Sequence, residues 1–164
     1  MEEELGVEGY QAIPEAQFLA HADAVEKMRP IAEPSECPGC GAVYYDGHWQ
    51  WGIAPQQSRE HLCPACVRAR ENHPAAVLLM QGSCVAAHGD EIAALARETE
   101  SRVRALHPLR RVLRVQQHSG GMRISTSSMY LARDIAAALH HAFRGELQYL
   151  YNQEQNALRI IWKC

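Results

Sequence analysis

The chain has 164 residues, 47% of them hydrophobic, with a formal net charge of −3. That length admits one ordinary domain, or a small metal-stapled module beside a compact α/β unit. No apolar run approaches the roughly 18 residues a membrane-spanning helix needs, and no basic-then-apolar leader opens the sequence, so a cytoplasmic protein that engages no membrane is expected.

The charge is unevenly spread. Residues 1–36 carry nine acidic side chains against Lys27 and Arg29, a net of −7, whereas residues 102–163 carry ten basic ones against Asp134, Glu146 and Glu154, a net of +7. A basic half of this kind suits phosphate, with the acidic head either loose or folded back over it; the bland alternative is an ordinary solvated surface.

Residues 1–36 read as a separate acidic segment, partly disordered or forming a short helix. Gln11 to Met28 can be helical between Pro14 and Pro30, with Phe18, Leu19, Ala22 and Val25 on one side. Ile31 to Glu36, containing Pro34, reads as an extended linker.

Residues 37–75 read as a zinc ribbon. Cys37-Pro38-Gly39-Cys40 and Cys63-Pro64-Ala65-Cys66 repeat one C-P-x-C device with 22 residues between them. A two-residue gap lets both sulfurs of a tight turn point at one centre, and two such turns supply the four thiolates of a structural Zn²⁺. A redox dithiol would not account for the second copy, and four thiolates close the coordination shell against an activated water. Cys37, Cys40, Cys63 and Cys66 are therefore the expected ligands of one structural zinc. His61 is an alternative ligand or a sulfur partner, and otherwise a loop residue. Ala42 to Tyr45 and Trp49 to Trp51 flank the turn signal Asp46-Gly47-His48, which predicts a hairpin. Trp49 and Trp51 either cover the metal core or offer stacking surfaces. Cys84 reads as a small buried hydrophobe and Cys164 as a frayed terminus.

Residues 76–164 read as an α+β domain. Val77 to Met80 is a short apolar strand ending at Gly82. Asp90 can cap a helix running to about Leu106, where His107-Pro108 stops it. Arg111–Val115 and Met122–Thr126 are strands meeting at Ser119-Gly120-Gly121. Ser127 or Ser128 caps a helix with Leu131, Ile135, Leu139 and Phe143 at steady i+4 spacing, and Gly145 ends it. Leu147, Tyr149 and Tyr151 alternate along one strand, and Leu158, Ile160 and Trp162 along the next. The expected unit is α-β-β-α-β-β, an antiparallel sheet with helices on one face.

No nucleotide loop, metalloprotease motif or nucleophile elbow is present, and adjacent His140 and His141 point in different directions, so a non-enzymatic role is expected. The candidate RNA-binding residues are Arg110, Arg111, Arg114 and Arg123, clustered about one hairpin. Strict alternation would put Arg110 and Arg114 on one strand face, where guanidinium groups suit the phosphates of a nucleic-acid strand; a plain solvent face is the competing account.

The run from Cys37 through Gly47-His48-Trp49, the Gly121 to Ala136 stretch (GMRISTSSMYLARDIA) and the Gly145-to-Trp162 hairpin resemble the zinc-binding N-terminal region of the nonsense-mediated-decay-protein-three family, in the form of a small stand-alone zinc-ribbon protein of bacterial type. The likeness covers about residues 36–162. Members of that family are adaptors for export and maturation of the large ribosomal subunit. They carry further cysteines that this chain lacks, and the likeness does not extend to their downstream barrel domains. The resemblance implies a metal-stapled fold, Cys37, Cys40, Cys63 and Cys66 as ligands, and association with RNA or a ribosomal particle. The expected function is thus a zinc-binding protein on an RNA or ribonucleoprotein surface; the alternative is an interaction adaptor that docks a protein partner without nucleic acid.

Overall fold

The computed structural model describes residues 6–26 and 30–164. In chain order its elements are β1 (Gln11–Ile13), α1 (Glu15–Glu26), β2 (Ser35–Glu36), β3 (Val43–Tyr45), β4 (His48–Gln50), β5 (Arg59–Glu60), α2 (Pro64–Glu71), β6 (Ala76–Gln81), α3 (Ser83–Arg104), β7 (Val112–His118), β8 (Gly121–Thr126), α4 (Met129–Phe143), β9 (Glu146–Asn152) and β10 (Ala157–Lys163). They form an α+β structure with two sheets, a six-stranded one in the order β1-β9-β10-β6-β8-β7 and a four-stranded one in the order β4-β3-β2-β5.

The apolar run of β6 is continuous because both of its faces are covered. Ala76, Leu78 and Met80 face the helices, while Val77 and Leu79 join Val7, Leu150 and Ile161 on the opposite side. A strand of that kind belongs in the middle of a sheet. It pairs antiparallel with β8 and parallel with β10. The large sheet is therefore mixed, not antiparallel throughout as expected. The reason is the closing hairpin: β10 turns inward to lie beside β6, and β9 takes the outer place. A parallel pair has no connecting turn, so no local signal announces it.

The helices α1, α3 and α4 cover one face. Ser128 caps α4, its hydroxyl accepting from the Leu131 N–H, and Leu131, Ile135 and Leu139 are fully buried against Leu78, Ile124, Leu158, Ile160 and Trp162. His140 and His141 are exposed. Helix α3 starts earlier than expected, directly after Gly82, and has a non-helical residue at His88 (φ −125, ψ 25); the helix expected from Asp90 is its regular second part.

Part of the acidic segment packs on the large sheet. β1 joins the sheet edge, with Gln11 opposite Tyr151, and α1 places Phe18 in the core with its ring 5.1 Å from that of Tyr149. The helix expected from Gln11 starts only after Pro14, since residues 11–13 pair as strand. Its expected end at Met28 lies outside the described residues, as does the Val25 side chain.

Cys84 and Cys164 are joined in a disulfide, with Cα atoms 5.7 Å apart and a sequence separation of 80. This corrects the expectation of a buried thiol and a frayed end. Cys164 continues the β10–β6 pairing, its N–H donating to the Gln81 carbonyl, which brings it over the start of α3. Among the described residues no helix is long and apolar enough to cross a membrane.

Candidate metal centre

The four knuckle cysteines converge as their spacing predicts. Cys37 follows β2 directly, and its turn is closed by Cys37 N–H to Ala42 O (2.8 Å) and Gly41 N–H to Cys37 O (2.9 Å), with Gly41 at φ +81. A side chain would resist that left-handed conformation. The β3–β4 hairpin turns on Asp46 (φ 53) and Gly47 (φ 81), the pair of positive φ values that a tight two-residue turn demands.

The second cysteine pair is built differently from the first. Cys63 is the N-cap of α2, with Pro64 in the first helical turn, and its sulfur accepts from the Cys66 N–H at 3.4 Å. The proline that reads as a turn former is here the residue that opens a helix, where its missing N–H is harmless. One ligand pair thus comes from a strand-end turn and the other from a helix start.

The four sulfurs lie within 4.8 Å of one another, and those of Cys40 and Cys63 are 3.8 Å apart. The group can hold a metal ion. Gly39 is essential to the closeness, since a Cβ there would stand 2.8 Å from the Cys66 sulfur. Beneath the sulfurs, Ala42, Tyr44, Trp49 and Ala65 form a small core, with the Tyr44 and Trp49 rings edge-on at 5.5 Å. His61 is exposed near Trp49 and is not among the clustered ligands.

Electrostatics divides the four. Burial pushes the Cys63 thiol well up, and the Cys40 and Cys37 charges push it further, although the Cys66 N–H opposes them. Burial also raises Cys40. At Cys37 burial is outweighed by hydrogen bonds from the Cys63, Cys40 and Gly39 N–H groups, which bring it down to about 7. Crowded thiols in such a site cannot all ionise alone; a cation among them removes the conflict.

A fifth residue completes the centre. Arg111 Nη2 donates to the Cys66 sulfur at 3.3 Å. Its backbone is held by the Ser127 hydroxyl, which accepts the Arg111 N–H at 2.8 Å, and Leu109 packs beside the small core. Trp51 ties the modules at a second point, donating to Arg104 O at 2.7 Å with the Arg104 guanidinium 5.6 Å from its ring centre.

The four candidate arginines are consequently not one cluster. Arg110 sits over the Tyr130 ring at 4.7 Å and Arg111 serves the sulfurs. A register shift between Val112 and Arg114 breaks the alternation expected of the strand, so Val112 and Val115 both pack on the core. Arg114 and Arg123 do share a face. Arg114 is opposite Ser125, and Arg123 stands between Gln116 and Leu79 on the side of the sheet away from the helices.

Arg159 stands on that face as well. Arg159 lies between Leu150 and Val77, 5.2 Å from the Tyr10 ring centre, with its Nε buried and lacking a hydrogen-bond partner. Burial lowers its pKa; Tyr10 acts the other way and Arg123 adds to the depression. Sequence alternation could have found it, since Leu158, Ile160 and Trp162 turn inward and leave Arg159 on the other face. No family model, curated protein or solved structure matches this chain.

Proposed function

We propose a non-enzymatic zinc-binding protein that holds RNA, or the RNA surface of a ribonucleoprotein, on the arginine-bearing face of its large sheet, the one away from the helices. The metal is assigned from the donor set. Sulfurs arranged tetrahedrally at zinc–thiolate bond length stand about 3.8 Å apart, and four of them leave no open coordination place. The Cys40–Cys63 separation of 3.8 Å matches that value, and all the sulfurs lie within 4.8 Å of one another. The ion is structural and supplies no chemistry. It joins a short strand end and a helix start that together bury too little to fold alone.

One observation carries the RNA reading. Arg114, Arg123 and Arg159 stand on three strands of one sheet face, interspersed with Gln116, Ser125 and Gln148. Among the described residues no carboxylate pairs with any of the three, and Glu146 stands opposite Lys163 at the sheet's end. Guanidinium groups in that setting suit phosphate, and a sheet face with amide side chains suits a splayed single strand. The resemblance noted above makes ribosomal RNA the first ligand to try.

The test is fluorescence anisotropy of a labelled ribosomal RNA fragment at two salt concentrations. Binding should weaken with salt by about 0.7 log units per contacted phosphate for a single strand, and each of Arg114→Ala, Arg123→Ala and Arg159→Ala should lower that slope by about one unit at most. Absence of binding at low salt would leave the protein-docking adaptor as the better account. Metal analysis of the purified protein should find one zinc per chain.

A further inference from the structure

The described chain begins on the arginine face. Val7 is buried there with Val77, Leu79, Leu150 and Ile161, and Tyr10 packs beside them. Leu150 and Val77 are the register neighbours of Arg159, and Leu79 is that of Arg123. Val7 therefore shares a cluster with the register neighbours of both arginines. Its seat is set by the local backbone. Gly6 (φ +62) and Gly9 (φ +78) bend the backbone, the Tyr10 N–H closes the turn on the Val7 carbonyl at 3.0 Å, and a Cβ at Gly9 would come within 3.1 Å of the Asn152 amide.

Immediately before this seat the sequence reads Met1-Glu-Glu-Glu-Leu5. Glu4 is three residues from Val7, and three residues reach at most about 10 Å, roughly two strand spacings. Beyond Gly6 and Leu5 the sequence carries three successive carboxylates, and the face presents Arg114, Arg123 and Arg159.

We propose that Glu2, Glu3 and Glu4 dock on the Arg123–Arg159 face of the same chain and occupy the place of an RNA phosphate strand, so that RNA has to displace them. Charge complementarity and the anchored position of Val7 select this occupant. The docking stands on those observations alone; the displacement by RNA rests on the function proposed above.

The full-length protein is compared with its E2Q/E3Q/E4Q variant, which removes three charges and leaves Val7, Tyr10 and the sheet intact. Without RNA, the Arg123 and Arg159 side-chain Nε–H signals and the Ile161 methyl signals in NMR spectra should shift between the two proteins. Raising the salt should move the wild-type signals toward those of the variant as the ionic contacts are screened. Superimposable spectra for these groups would overturn the docking, whatever RNA does. With the labelled ribosomal RNA fragment at low salt, the variant should bind about fivefold tighter or more, the size of a modest coupling between two ligands of one site. Shifted spectra with equal RNA affinities would overturn the displacement. Shifted spectra with no RNA binding by either protein would support the docking and remove the RNA reading.

Discussion

Replacing Arg111 by alanine separates the metal centre from the arginine face more sharply than any other single change. The side chain gives one charge-assisted hydrogen bond to the Cys66 sulfur, at 3.3 Å. A hydrogen bond to a charged group contributes about 1.5–3 kcal/mol, which corresponds to about a 10- to 150-fold loss in metal affinity. Partners of metal ligands elsewhere are worth about 10–100-fold, in agreement. The backbone should stay in place, because the Arg111 N–H to Ser127 Oγ bond at 2.8 Å does not involve the side chain. Competition for zinc against a chromophoric chelator near neutral pH measures the effect directly. Arg114→Ala, on the sheet face, should leave zinc affinity unchanged and weaken RNA, whereas Arg111→Ala should do the reverse. Arg111→Lys should recover part of the zinc affinity through its charge. Wild-type zinc affinity in Arg111→Ala, or an equal loss in Arg114→Ala, would refute the assignment of Arg111 to the sulfurs.

Gly39→Ala should weaken zinc about tenfold or more, because a methyl 2.8 Å from the Cys66 sulfur must displace that ligand and each tenfold corresponds to only about 1.4 kcal/mol; the same chelator competition reads it, and an unchanged affinity would show that the knuckle can yield. Ile135→Ala, at a fully buried position, should destabilise the fold by about 2–5 kcal/mol in urea titration, while His140→Ala on the exposed side should be nearly silent; equal effects would contradict the orientation of α4. The Cys84–Cys164 bond closes a separation of 80 residues, for which a chain-entropy account gives about 4.5 kcal/mol, so Cys164→Ser should lower the unfolding midpoint substantially. Alkylation of the denatured, zinc-free protein should label four cysteines before reduction and six after, and six before reduction would refute the bond.

The amino-acid sequence by itself determined what depends on near neighbours. The C-P-x-C spacing sets two sulfurs on each turn, Asp46-Gly47 sets the hairpin between the pairs, and the i+4 row of Leu131, Ile135 and Leu139 sets the buried side of α4. Each signal repeats within a turn or two of the chain, and such periods survive whatever the rest of the molecule does. Tertiary structure alone decided the remainder. It placed β10 parallel beside β6, made Cys63 the cap of a helix, and joined Cys84 to Cys164. It also distributed the arginines: Arg111 went to a sulfur 45 positions away, Arg110 to Tyr130, and Arg159 to the face shared by Arg114 and Arg123. A strand's alternation says that its two faces differ but not which strand lies beside it. A one-residue irregularity such as that between Val112 and Arg114 reverses every side chain beyond it. Guanidinium groups of the same local sequence therefore end in three different environments, chosen by packing across the sheet.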